Sequence, residues 1–257
     1  MSDARRALRQ IRFTNRSFWR NRAAAFFTFI FPIMLLAIFA VLFGNGTVRV
    51  GPGRSVRAST FYVPAITAFA VISACYTNLA MMVTIHREQG ILKRVRGTPM
   101  PAWTYLSARV AHAVLVAFLM AGIFVAFGAG AYGASVPLRT LPAFAVTLVV
   151  GAAGFCALGL AVTVAIPNAD AVSPIVNASI LPLLFFSNVF IPLQHPPAWV
   201  DVVGKIFPVR HFADALVASY TGAPGSGFRG MDLLVLGIWG LGGLALAVRF
   251  FAWEPRT

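Results

Sequence analysis

Long apolar runs alternate with short polar and charged clusters along most of the chain. Charge-free windows cover Ala23–Phe43, Ala58–Ile85, Ala113–Leu138, Thr140–Ala169 and Ala171–Gln194. A sixth, Leu233–Val248, is shorter, but Phe250, Phe251 and Trp253 extend it once Arg249 turns its guanidinium to the interface. A bilayer core of about 30 Å takes roughly 20 apolar residues as a helix. Lipid leaves no backbone group unpaired, and no segment alternates like a barrel strand, so the windows read as helices. The pattern predicts an all-α integral membrane fold with six transmembrane helices. They fall at about residues 23–43, 60–85, 105–128, 141–166, 171–191 and 231–252, within one transmembrane domain over residues 23–252.

The connections add detail. Residues 1–22 set Leu8, Ile11, Phe18 and Trp19 against many arginines at roughly helical spacing. That predicts an N-terminal amphipathic interface helix lying in the headgroups; a basic tail without structure is the alternative. Its charged stretch is too long for the leading region of a signal peptide, so the first span is expected to stay as an anchor. The loop 44–59, rich in Gly and Arg, reads as exposed. From Pro192 to Gly230, Trp199, Val200, Val203, Ile206, Phe207, Phe212, Leu216 and Val217 recur at helical spacing, interrupted at Pro208. Two short helices result, either an outer re-entrant hairpin before the last span or a soluble cap; backbone re-entering a membrane must be buried in protein or line a cavity.

Composition narrows the class. Of 257 residues, 59% are hydrophobic and 11% charged, and the net charge is +14. A soluble domain carries roughly a quarter charged residues, so a soluble enzyme and a disordered chain are both excluded. A nucleic-acid binder spreads basic charge over a polar surface, whereas here arginines cluster at the ends of apolar runs, and no nucleic-acid partner is expected. Arginine outnumbers lysine by 19 to 2, as in a GC-rich bacterial gene. With the N-terminus inside, 14 of the 21 Lys and Arg fall on the cytoplasmic side and seven outside. The positive-inside rule then puts both termini in the cytoplasm of a multi-pass protein of the bacterial inner membrane.

Candidate chemistry is sparse. Cys75 and Cys156 lie inside apolar runs and form no metal or redox motif. No ionisable residue lies deep within the first five spans, and ion-coupled carriers usually keep such a group at the midplane. The chain contains no P-loop, GxSxG, HExxH or paired-carboxylate motif. No catalytic residue, metal or cofactor is therefore expected on this chain, and any energy input must come from another polypeptide.

One segment carries more. His86-Arg87-Glu88-Gln89-Gly90-Ile91-Leu92-Lys93-Arg94-Val95-Arg96-Gly97-Thr98-Pro99-Met100-Pro101 resembles the E-x-G-x-L-K-x-x-R-x-T-P-x sequence of ABC-2 type (type V) exporter permeases, which include the daunorubicin-type drug exporters. Phe18-Trp19-Arg20-Asn21 with Phe26–Pro32, and Ile191-Pro192-Leu193 with residues 208–216, resemble further parts of that family in the same order. The chain departs from it at Asn21-Arg22 and Phe207-Pro208, where many members have Asn-Pro. The resemblance implies a half-transporter. A cytoplasmic coupling helix would contact a separate ATPase through Glu88, Gly90, Leu92, Lys93, Arg94, Arg96, Thr98 and Pro99. Two such ATPase subunits, holding ATP and Mg, would sit beneath two permease subunits, identical or not.

The resemblance also implies that spans two and five face each other across the dimer. Span two carries Ser73, Tyr76, Thr77 and Asn78, and span five carries Asn177, Ser179, Phe185, Phe186, Ser187 and Asn188. Aromatic rings with a few amides suit a lipophilic or amphipathic cargo such as a drug, lipid or glycoconjugate. The same Ser, Thr and Asn side chains also serve to join membrane helices. The expected function is the permease subunit of an ATP-driven exporter in contact with membrane lipids. A passive channel, a secondary carrier and a non-transporting scaffold are the alternatives.

Overall fold

The computed structural model describes residues 12, 15–16, 18–20, 22–51, 53–97, 102–136, 138–187, 189–190, 197–222 and 225–253. The described part of the N-terminal segment is helical. There Trp19 stacks on Phe29 with ring centroids 5.3 Å apart, and Phe18 sits edge-on to Phe29 and His112. The rest of the expected interface helix lies outside the described residues.

Helix α1 is continuous through Arg22–Ala25, a π turn at Phe26–Ile30 and Phe31–Phe43. The Phe31 N–H bonds the Phe26 carbonyl, five residues back. The turn thus widens just ahead of Pro32, which has no N–H to offer. A hairpin follows, with β1 at Thr47–Gly51 and β2 at Arg54–Arg57 paired antiparallel in the register Val48↔Val56. The expected exposed loop is therefore partly a small sheet, the one departure from an all-helical fold among the described residues. Val48 is buried while the flanking Thr47 and Arg49 are exposed, the period-two pattern of a half-buried strand.

Helix α2 runs from Ala58 to Glu88 with a π segment at Ser73–Asn78. The short α3 (Ile91–Arg96) follows, then α4 (Ala102–Tyr132), α5 (Leu141–Val162), α6 (Val172–Phe185), α7 (Ala198–Ile206), α8 (Pro208–Tyr220) and α9 (Gly230–Phe250). Five helical stretches are long and apolar enough to cross a membrane: Phe26–Phe43, Ala58–Glu88, Tyr105–Tyr132, Leu138–Val162 and Gly230–Phe250. The fifth expected span is shorter. Helix α6 has 14 residues, about 21 Å at 1.5 Å per residue. The chain leaves it at Phe186, whose N–H bonds the Pro182 carbonyl while its ψ of 2° takes it out of the helix.

The helices pack through small residues. A Cβ on Gly159 of α5 would lie 2.9 Å from the carbonyl oxygens of both Cys75 and Tyr76 in the α2 π segment. One on Gly240 of α9 would come within 3.0 Å of the Gly154 Cα in α5. Backbones this close gain dispersion contacts, the main attraction between helices where lipid is as apolar as leucine. Helix α8 is drawn into the same core: Phe212, Leu216 and Tyr220 are buried, and the Phe212 ring lies over Gly151. Arg54 of β2 donates to the Thr221 carbonyl and Thr140 Oγ1 to that of Ser219, tying the hairpin and the start of α5 to the end of α8.

Candidate functional site

The segment after α2 begins with a sharp change of direction. Gly90 adopts φ +69° and ψ 10°, a left-handed conformation that costs glycine nothing. Its N–H bonds the Arg87 carbonyl at 3.1 Å, which closes α2 and starts α3. Helix α3 is amphipathic. Leu92 is fully buried and Val95 packs against the core, while Lys93 and Arg94 face outward. Arg96 ends the helix; Thr98 and Pro99 lie outside the described residues.

Two neighbours at the end of α2 hold the connection between α5 and α6. Arg87, only 3% exposed, donates from Nη1 to the Thr163 carbonyl at 3.0 Å and from Nη2 to the Ile166 carbonyl at 2.6 Å. Thr163 caps α5, where the negative end of the helix dipole favours a guanidinium. Ile166 lies in the connection beyond, its N–H bonded to the Thr163 carbonyl at 3.4 Å, so the fork ties the helix end to the connection. Glu88 takes the opposite role, accepting the Ala169 N–H at 2.6 Å through Oε2. On another side, His86 Nδ1 lies 2.7 Å from the hydroxyl of Tyr105 in α4. Displacement of α3 would therefore be passed to α2, α4 and residues 163–171 together. The sequence reading assigned Glu88 to a partner and left Arg87 unassigned. The available signal was an arginine at the last turn of an apolar helix, though nothing local names carbonyls more than seventy residues away.

The pathway candidates divide. Tyr76 is buried, and its hydroxyl meets Ser179 Oγ of α6 at 2.7 Å. Ser179 gives its own proton to the Val176 carbonyl, so Tyr76 is the donor. This bond joins α2 to α6 within one chain. Ser187 is fully buried and donates to the Leu184 carbonyl. Ser73 and Thr77 are half-buried and Asn78 is exposed. Asn177 donates to Ser173 Oγ at 3.3 Å, Phe185 is 61% exposed, and Phe186 meets Trp199 edge-on at 5.3 Å. Asn188 lies outside the described residues. The outward set is therefore Asn78 and Phe185, with Ser73, Thr77, Asn177 and Phe186 partly covered.

At the opposite end, α7, α8 and the start of α9 share a charged cluster. Asp201 pairs with Lys205 at 2.5 Å and Arg210 at 2.8 Å. The Lys205 hydrogen bond, then that from Arg210, holds the Asp201 carboxyl below the usual carboxylate range. His211 bridges the elements, with Nδ1 2.6 Å from buried Asp232 and Nε2 2.8 Å from the Lys205 carbonyl. Trp199, Val202 and Ile206 give α7 an exposed apolar side. The two short helices expected around Pro208 are present, but α8 is a core element rather than a surface one.

The family model for the ABC-2 type transporter matches residues 9–221. The chain belongs to the ABC-2 type transporter family. Its relatives include the probable multidrug ABC transporter permease YbhR of Escherichia coli K12, 26% identical over 155 residues, or 60% of this chain and 42% of that protein. The putative transport permease ycf38 of Porphyra purpurea is 23% identical over 208 residues, 79% of this chain and 69% of its own. The daunorubicin resistance ABC transporter permease protein DrrB1 of Streptomyces coeruleorubidus is 27% identical over 192 residues, 72% and 64% respectively. The match thus spans less than half of the E. coli relative. In this ABC-2 chain the family match takes in α1 to α8, including α3 and the contacts that surround it.

Proposed function

We propose that this chain is the membrane permease subunit of an ATP-driven exporter that moves a lipophilic or amphipathic substrate outward. Family membership and the permease names of the relatives support the class. The observation that carries the mechanism is the Arg87–Glu88 clasp on residues 163–171 beside the outward-facing Lys93 and Arg94 of α3. A short helix anchored by Leu92 and displaying two cations offers a rigid, charged knob to a soluble partner. Such rim charges set orientation and encounter rate more than affinity. ATP and Mg bind on two cytosolic ATPase subunits, and closure of those subunits moves α3. The clasp carries that motion into α2, α4 and the α5–α6 connection as a switch between two packings.

In this reading the bundle crosses the inner membrane six times, α6 completing the fifth crossing with the residues after Phe185, and both termini are cytoplasmic. Helices α7 and α8 then lie at the outer end. Two permease subunits pair, and the cargo moves along the seam where α2 and α6 of each approach, past Ser73, Thr77, Asn177 and Phe185; Asn78 faces α4 instead. The test is co-purification of the tagged chain with a cytosolic ABC ATPase produced alongside it, with ATPase stimulation and transport measured in vesicles. Arg94→Glu should weaken assembly, and Glu88→Ala should leave assembly intact while hydrolysis no longer drives transport. Full assembly and transport in both variants would overturn the coupling role, and transport without any ATPase would favour a passive channel.

A further inference from the structure

A cavity of about 460 Å³ opens between the N-terminal segment, α1, α2 and α4, at the same end of the bundle as α3. Its polar lining comprises Arg109 and His112 of α4, Asn78 and His86 of α2 and Thr28 of α1; Arg109 can only donate, and each of the others can donate or accept. Leu79 and Val116 contribute apolar walls. His112 is 8% exposed, and its Nδ1 is buried without a hydrogen-bond partner; Arg109 Nε is buried and unpartnered too. Arg109 does have neutral neighbours, donating from Nη1 to Met82 Sδ at 3.0 Å and lying 5.1 Å over the Tyr105 ring. None of these offsets its charge, and among the described residues no carboxylate lines the cavity.

A guanidinium inside a membrane-crossing helix is costly unless an anion or water meets it. Along α4, Arg109 lies four residues in from Tyr105, where the apolar span begins, about 6 Å of helix. An arginine so near the end of a span can extend its guanidinium toward the lipid phosphates. The apolar walls suit the upper part of an acyl chain and give nothing to a fully hydrated ion. We propose that this cavity binds the phosphate headgroup of an anionic lipid. Arg109 supplies the charge-assisted hydrogen bonds, while His112 Nδ1 and the Asn78 amide supply further donors or polar contacts. The site requires only that the chain be inserted in a membrane, so it stands or falls separately from ATPase coupling.

The test is native mass spectrometry of the full-length chain, delipidated and then offered phosphatidylglycerol and phosphatidylcholine of identical acyl chains. Wild type should retain phosphatidylglycerol over phosphatidylcholine by about tenfold, as expected for one charge-assisted contact. Arg109→Gln should lower that preference about fivefold or more, Arg109→Lys should restore part of it, and Arg249→Gln, at the end of α9, should leave it unchanged. Equal retention of the two lipids by wild type would overturn the proposal without recourse to any variant. Equal losses in Arg109→Gln and Arg249→Gln would assign the binding to general interfacial charge and overturn it as well. Displacement of phosphatidylglycerol by millimolar inorganic phosphate would make the site one for a soluble anion, which also contradicts a lipid.

Discussion

An arginine at the end of a membrane-crossing helix ordinarily reaches for water, whereas Arg87 turns inward to two backbone carbonyls. Removing it orphans the buried Ile166 carbonyl, at about 1–3 kcal/mol, and leaves the Thr163 carbonyl with only the long 3.4 Å bond from the Ile166 N–H. Arg87→Met should therefore lower the melting temperature of the purified chain clearly. Arg87→Lys, which keeps the charge but not the fork, should fall between. Glu88, on the other side of the clasp, was legible as part of a motif but not as a ligand of the Ala169 N–H, because the contact crosses 81 residues of chain. Asp201 carries a pH dependence whose sign follows from its environment. Its carboxyl is held below the usual range by Lys205 and Arg210, so the folded state is favoured above the ordinary carboxylate pKa. That contribution is lost as the pH falls through the lowered folded value. Thermal melts between neutral and acid pH should show the loss in wild type, and Asp201→Asn should be flatter over the same window.

Whole helices were the most legible parts of the chain, since apolar runs with charged ends leave few alternatives in lipid. The exceptions have local causes. The hairpin at residues 47–57 hides behind its Gly and Arg content, although Val48, Val50 and Val56 mark its apolar positions. The apolar run through residues 171–191 reads as a full span, but its helix stops after Phe185, one turn beyond Pro182. Nor does composition say which glycines sit against a neighbouring backbone. Gly159 does, and Gly242 in α9 meets nothing within 4 Å. Gly159→Ala should thus be destabilising by about 1–3 kcal/mol despite its better helix propensity. Gly242→Ala should be neutral or stabilising by up to about 1 kcal/mol. Paired melting curves in one detergent would separate the two, and equal effects would refute the close packing of α5 on α2.

For the molecule as a whole, the order of elements and the distribution of Lys and Arg were readable, while the contacts joining distant connections were not. The sidedness proposed above has a direct check. With Cys75 and Cys156 removed, a cysteine at exposed Ser226 should react with an impermeant thiol reagent in intact cells, and one at exposed Gln89 should not; the reverse pattern would invert the topology. A last consequence belongs to the π segment at Ser73–Asn78. A π turn takes up one residue more than the helix around it needs, so the two halves of α2 keep a common phase across it. Deleting one residue there would let ordinary helical bonding close through the gap, with Tyr62 on one side and Arg87 and Glu88 on the other still in place against their neighbours. Deleting one residue from the regular turns that follow, at Met81 for instance, would instead turn everything beyond it by about 100° and swing Arg87 and Glu88 away from Thr163, Ile166 and Ala169. Both shortened chains should still insert, but only the second should have its two ends out of step: full membrane content, and none of the stability that Arg87 confers.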